Sequence, residues 1–202
     1  MKSFKLMLSV VLGLSSFGVQ ASDQTCEVLK RYSLTDEDVL RMSWLEVTRS
    51  MGLAAALNIE SAQDRQTISG LFSSGFTKIE NPEALIGDYQ CRTIKLGGNL
   101  AGIVYGWFGC EIFPEEAALV IRKISGSQRF FGLLSPAGNG LAYRGALHYG
   151  YEDQVMPYNR DATRNQVGCF SAVDASMEHF VLELPAPQFE SVHDVIEFKR
   201  SN

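Results

Sequence analysis

Between residues 36 and 58 apolar side chains fall at Leu40, Trp44, Val47, Met51 and Leu57, mostly three or four positions apart. That is the repeat of an amphipathic helix. Thr35 stands before it as a cap, and Asp36, Glu37 and Asp38 occupy the first turn, where the helix dipole favours acids. The pattern predicts about five turns ending near Asn58. Residues 61–72 read as a second, shorter helix, and Asn81-Pro82 marks a boundary. Beyond Pro82 the period changes. Short runs rich in Val, Ile, Tyr and Phe alternate with turn clusters every ten residues or so, the all-β pattern. The runs cover residues 87–96, 102–113, 117–125, 128–134, 141–149, 166–173, 178–184 and 191–200. About eight antiparallel strands predict a mainly β domain, a small barrel with a two-sheet sandwich as the alternative, preceded by an α-helical segment. Gly97-Gly98-Asn99, Gly126-Ser127 and residues 136–140 are the hairpin turns. The longest irregular stretch, residues 150–164, has the length of a functional lid or an excursion.

The first residues change the picture of where the domain lives. Lys2 and Lys5 precede the apolar run from Leu6 to Leu14, and the triplet Val19-Gln20-Ala21 follows. A basic start, an apolar stretch too short for a membrane span and small residues at −3 and −1 make a secretory signal peptide. The organisation is then 1–21 signal peptide, 22–82 helical segment and 83–202 barrel-like domain. Cleavage removes two lysines and takes the formal net charge from −5 to −7. An acidic chain argues against a nucleic-acid partner. The expected location is the periplasm of a Gram-negative bacterium, with secretion as the alternative and no membrane span after cleavage.

Four cysteines, Cys26, Cys91, Cys110 and Cys169, follow the cleavage site. In an oxidising compartment they read as two disulfides with three possible connectivities. Cys91 and Cys110 lie on consecutive predicted strands, centred on the Gly97–Gly102 loop, so a hairpin sets them face to face. Cys26 and Cys169 pair by elimination. No C-x-x-C occurs, so no redox pair or zinc knuckle is indicated.

The scan for chemistry finds no G-x-S-x-G elbow, H-E-x-x-H, P-loop or strand-linked G-x-G-x-x-G. The three histidines, His148, His179 and His193, lie on separate predicted strands, and neither a metal nor a cofactor is indicated. The most readable element is the hairpin at Ser125-Gly126-Ser127-Gln128. Gly126 suits the first central position of a type II′ turn, which sets Arg122 opposite Phe131 and Lys123 opposite Phe130. If residues 136–140 make the next hairpin, Gln128 falls opposite His148 and Gly132 opposite Arg144. One face then collects Lys123, Ser125, Gln128, Arg144 and His148, and the other Val120, Ile124, Phe131, Leu133, Tyr143, Leu147 and Tyr149. The bulkier face is the expected core. Lys123, Gln128, Arg144 and His148 form either a basic patch that receives an anion or a solvated outer face. A slip of one residue would scatter them.

Several segments taken together resemble a known family: residues 86–92 (IGDYQCR), 107–110 (WFGC), 123–129 (KISGSQR), 143–146 (YRGA), 165–168 (NQVG) and 185–191 (PAPQFES). The set resembles the exported bacterial family catalogued as domain of unknown function 4893. The resemblance implies an exported bacterial protein and carries no activity or catalytic residues to transfer. Gly87-Asp88-Tyr89 is also faintly similar to the start of lipocalin-like barrels. The reading is a periplasmic binding or interaction module for a small or anionic envelope ligand, or for an envelope protein partner. The alternative is an exported hydrolase with His148 or Glu190 as its base. Nothing in the sequence fixes the oligomeric state.

Overall fold

The computed structural model describes residues 26, 33–116 and 118–201; the predicted signal peptide lies outside the described residues. Nine strands follow three helices: α1 (Asp36–Ser43), α2 (Leu45–Ala56) and α3 (Ala62–Phe72), then β1 (Gly87–Leu96), β2 (Gly102–Val104), β3 (Phe108–Glu115), β4 (Ala118–Lys123), β5 (Gln128–Ala137), β6 (Gly140–Tyr149), β7 (Asn165–Ala172), β8 (His179–Pro185) and β9 (His193–Arg200). The strands are antiparallel in the order β2-β1-β3-β4-β5-β6-β7-β8-β9, and β1 pairs with β9 to close an eight-stranded barrel that leaves β2 as an extra strand. Closure satisfies the edge groups that an open sheet would expose. The run at residues 102–113 is two strands rather than one. Tyr105-Gly106-Trp107 breaks it, so that β3 pairs with the first half of β1 and β2 with the second half.

Parity assigns the two faces. Tyr89, Cys91, Cys110, Ile112, Ile121, Phe130, Leu134, Tyr143, Phe170, Phe180, Leu182, Ile196 and Phe198 point inward and form the main core. Ile94, Leu96, Val181 and Val195 point outward, beneath Ile59, Ile68 and Leu71 from the helical segment. Strands covered on both sides are apolar on both faces, which is why β8 and β9 lack clean alternation. The far end of the barrel is closed by the turn at Pro82–Leu85, where the Tyr89 hydroxyl donates to the Leu85 carbonyl at 2.6 Å.

The predicted long helix is interrupted at Trp44, which caps α1. Thr35 caps as expected, accepting from the Asp38 amide at 3.2 Å. The apolar stripe of Leu40, Trp44, Val47, Met51 and Leu57 is exposed, however, and the barrel is met by Met42, Leu45, Thr48, Gly52 and Ala56. Close approach explains the choice. A Cβ on Gly52 would lie 2.9 Å from the Leu96 Cβ, so only glycine lets α2 lie this close to β1.

Both disulfides form, Cys26 with Cys169 and Cys91 with Cys110, each with Cα atoms 5.8 Å apart. The hairpin argument for the second needs correcting. Cys91 is opposite Phe108 and Cys110 opposite Tyr89, so the two cysteines are diagonal neighbours across β1 and β3. The first bridge ties Cys26 to the outer face of β7, among Met42, Leu45 and Val167.

Candidate functional site: the barrel mouth

The β4–β5 hairpin has the expected register, with Arg122 opposite Phe131 and positive φ at Gly126. The next hairpin does not. Ala137 pairs with Gly140, so the turn is the two-residue Gly138-Asn139, with Gly138 at φ 62°, and not a five-residue loop centred on Gly138. That shift of one residue sets Gln128 opposite Tyr149 and Arg129 opposite His148. The predicted patch is divided between two faces. Lys123 and Gln128 belong to the inward face, while Arg144 and His148 point outward.

The face expected to be core is divided in the same way: Tyr143 and Leu147 on β6 lie inward as expected, whereas on β5 Phe130 and Leu134 fill the interior and Phe131 and Leu133 point outward. Glycines disguised it. A Cβ at Gly132 or Gly145 would fall 2.4 Å or 2.3 Å from the Tyr143 side chain, so both are bare because the tyrosine ring lies across them.

The packed interior opens at one end. There the ends of β1, β4, β6 and β8 and the starts of β5, β7 and β9 surround a cavity of about 200 Å³. Its apolar wall is Phe130, Leu147, Leu184 and Ile196, and the segment Pro187–Glu190 from the β8–β9 connection lies along its rim. Lys123 enters from the end of β4. Its side chain is buried, with Nζ 3.8 Å from the centroid of the Phe108 ring. Burial, and then the charge of Arg129, lower the Lys123 pKa. Gln128 stands exposed at the edge of the same cavity.

The opposite wall carries Lys95 and Asp194, which sequence reasoning did not select, beside Glu190, the base of the alternative hydrolase reading. Lys95 and Asp194 are register partners on β1 and β9. Lys95 Nζ is 2.6 Å from Glu190 Oε2, and the Ser191 hydroxyl donates to Asp194 Oδ1 at 2.5 Å. Burial lifts Asp194 to about 6 despite that hydrogen bond and the nearby Lys95. For Lys95 burial acts downward, but Glu190 and Asp194 outweigh it and raise the pKa. The available signal was parity: once Ile196 and Phe198 are read as inward, Asp194 must share their face. Arg129 completes the rim, its Nε donating to the Gly126 carbonyl at 2.9 Å.

The two predicted residues outside the cavity have other surroundings. Arg144 lies 5.7 Å from the Tyr158 ring. His148 is buried on the outer face, its Nδ1 has no hydrogen-bond partner among the described residues, and burial, then Arg129, lower its pKa. The segment between β6 and β7 is pinned over this region. The Tyr158 hydroxyl donates to Asp38 at 2.5 Å, and Arg164 pairs with Glu152 at 2.7 Å. Asp38 also accepts from Arg41 and Asn165, and Arg41 donates to the Ala186 carbonyl, so α1 braces the mouth.

A separate polar relay lies under α2, where Thr48 Oγ1 meets His193 Nδ1 at 3.1 Å and His193 Nε2 meets Glu183 Oε1 at 3.1 Å. Its order resembles a hydroxyl–imidazole–carboxylate triad. His193 and Glu183 are fully enclosed and do not line the mouth cavity, and Arg49 engages both Glu183 oxygens, so the relay fastens the helix to the barrel. Among the described residues no group of three or more His, Cys, Asp or Glu is placed to hold a metal ion, and no helix is long and apolar enough to cross a membrane.

Fold and mouth together define a small closed antiparallel barrel with a helical cover, filled along its length and open at one polar end. The chain belongs to the family described as Domain of unknown function (DUF4893), whose model matches residues 30–198. No curated protein and no solved structure matches it.

Proposed function

We propose that this protein is an exported binding module that takes a small molecule into the barrel mouth. The observation that carries the reading is the contrast between a tightly filled barrel and one end left open over an apolar floor with polar groups converging on it. Small-molecule sites have that composition, and an eight-stranded barrel has room for about one small ligand. The two disulfides and the signal-like start support an oxidising compartment outside the cytoplasm.

The test is a thermal-shift screen of small envelope metabolites and lipid fragments on protein purified from the periplasm. A ligand at a hundred times its Kd adds about 2.7 kcal/mol, which for a domain of this size raises Tm by roughly 5–10 °C. Leu147→Trp, which fills the cavity, is expected to abolish the shift without lowering the Tm of the free protein by a comparable amount. Shifts that survive the filled cavity would place binding elsewhere and overturn the reading.

A further inference from the structure

We propose that the ligand of the mouth is an organic anion, a carboxylate or a phosphate ester, whose charged end sits on Lys123 and Arg129 and whose apolar part lies on Phe130 and Leu147. This rests on the reading of the cavity as a ligand site and specifies what that site prefers.

The argument is an imbalance of partners around the opening. Among the described residues, each other cation lining the cavity has its acid: Lys95 has Glu190 at 2.6 Å, Arg164 has Glu152 at 2.7 Å and Arg41 has Asp38 at 2.7 Å. Lys123 and Arg129 have none within 4.0 Å among the described residues. Lys123 is only 8% exposed and rests on the Phe108 ring, so its ammonium is largely withdrawn from water without a counter-charge. Arg129 spends its Nε on the Gly126 carbonyl, and its terminal nitrogens have no hydrogen-bond partner among the described residues. The acids of the facing wall are already engaged, Glu190 by Lys95 and Asp194 by Ser191.

The opening therefore offers Lys123 on one wall and Arg129 at the rim without an acid, against a single carboxylate, Asp194, that has no cation within 4.0 Å among the described residues and is held by the Ser191 hydroxyl. An entering anion gains charge-assisted hydrogen bonds and neutralises two like charges. The lowered Lys123 pKa, from burial first and then Arg129, agrees with an ammonium that lacks its partner. An entering cation meets two like charges there against the one unpaired carboxylate of Asp194. The apolar wall beside Lys123 makes a bare inorganic anion a poor fit, because it would leave that surface uncovered.

Calorimetric titration of the periplasmic protein with four probes of similar size tests this: hexanoate, butyl phosphate, hexanamide and hexylamine. Hexanoate or butyl phosphate is expected to bind about tenfold or more tighter than hexanamide, the gain of a hydrogen bond to a charged group, and hexylamine is expected not to bind. Whichever anion binds tighter separates carboxylate from phosphate recognition. Lys123→Met is expected to bring hexanoate and butyl phosphate down to the affinity of hexanamide, and Lys123→Arg to restore the preference; urea midpoints establish that each variant is folded. Equal binding of hexanoate and hexanamide, or an undiminished preference in Lys123→Met, would overturn the anion site and leave the cavity reading standing. No binding of any probe, with no change in the amide resonances of cavity residues, would overturn both.

Discussion

Replacing Arg49 by Met removes the partner of a carboxylate that has no contact with water. Arg49 Nε and Nη2 reach the two Glu183 oxygens at 2.5 and 2.6 Å, and the Glu183 side chain has 0% exposure. His193 Nε2, at 3.1 Å from Oε1, is the other hydrogen-bond partner the structure gives that carboxylate. Burial alone would raise the Glu183 pKa; the hydrogen bonds from His193 and Arg49 hold it below 4.5 instead. Breaking a buried pair by removing one partner costs roughly 3–5 kcal/mol. The Arg49 side chain retains 14% exposure, so water can partly replace it, and the lower end, about 3 kcal/mol, is expected. Glu183→Gln removes the charge but keeps an acceptor for His193, so Arg49→Met/Glu183→Gln is expected to recover about 2 kcal/mol of that loss as coupling.

Urea unfolding with the disulfides intact reads these differences as shifts in midpoint at constant slope. The pH sign follows from the depressed pKa. The contribution of Glu183 is present above its unfolded value near 4.5 and is lost as pH falls through the lower folded value, so wild type and Arg49→Met are expected to converge in acid. A loss below about 1 kcal/mol, the range of an exposed ion pair, or strict additivity of the two substitutions, would refute the claim that this pair fastens α2 to the barrel.

Asp194 gives the opposite pH sign: its folded pKa is raised from 3.8 to about 6, so stability is expected to fall as pH rises from 4 through 6. The difference of about two units corresponds to at most about 3 kcal/mol, and Asp194→Asn is expected to remove that dependence in urea titrations across pH. Paired Cys→Ala replacements are expected to rank by loop length. Losing Cys26–Cys169, with a separation of 143 residues, costs more than losing Cys91–Cys110, with a separation of 19; the chain-entropy model gives about 5 against about 3 kcal/mol, compared by urea midpoints. Gly145→Ala would place a Cβ 2.3 Å from the Tyr143 hydroxyl and 2.4 Å from the Phe131 carbonyl, so Tm is expected to fall with a loss of about 1–3 kcal/mol.

What the sequence disclosed and what it withheld divide along one physical line. Features set by short-range chemistry were legible: the Thr35 cap, the positions of most strands, and the register around Gly126, where one glycine of positive φ defines the turn. Strand count and the pairing of an even set of cysteines were legible too, because both are constraints on a whole chain. The candidate site was half legible. Lys123 and Gln128 do line the mouth, whereas Arg144 and His148 were lost to a single residue of register at Gly138-Asn139.

That one residue could not be fixed by the hydrophobic pattern, because both faces of β5 carry large apolar side chains, Phe130 and Leu134 on one and Phe131 and Leu133 on the other. The true interior also contains two glycines exposed to a tyrosine ring rather than to a void. The same ambiguity hid the helix orientation, since α2 meets the barrel through Leu45, Thr48, Gly52 and Ala56 and leaves Val47 and Met51 outside. Contact made through small residues and a buried ion pair has no hydrophobic signature. It depends on how closely two backbones approach, and that distance is set by residues far apart in the chain. The charged mouth belongs to the same category. Lys95 and Asp194 look like surface residues until closure of β1 on β9 turns their shared face inward, and only that closure makes the unpaired Lys123 opposite them notable.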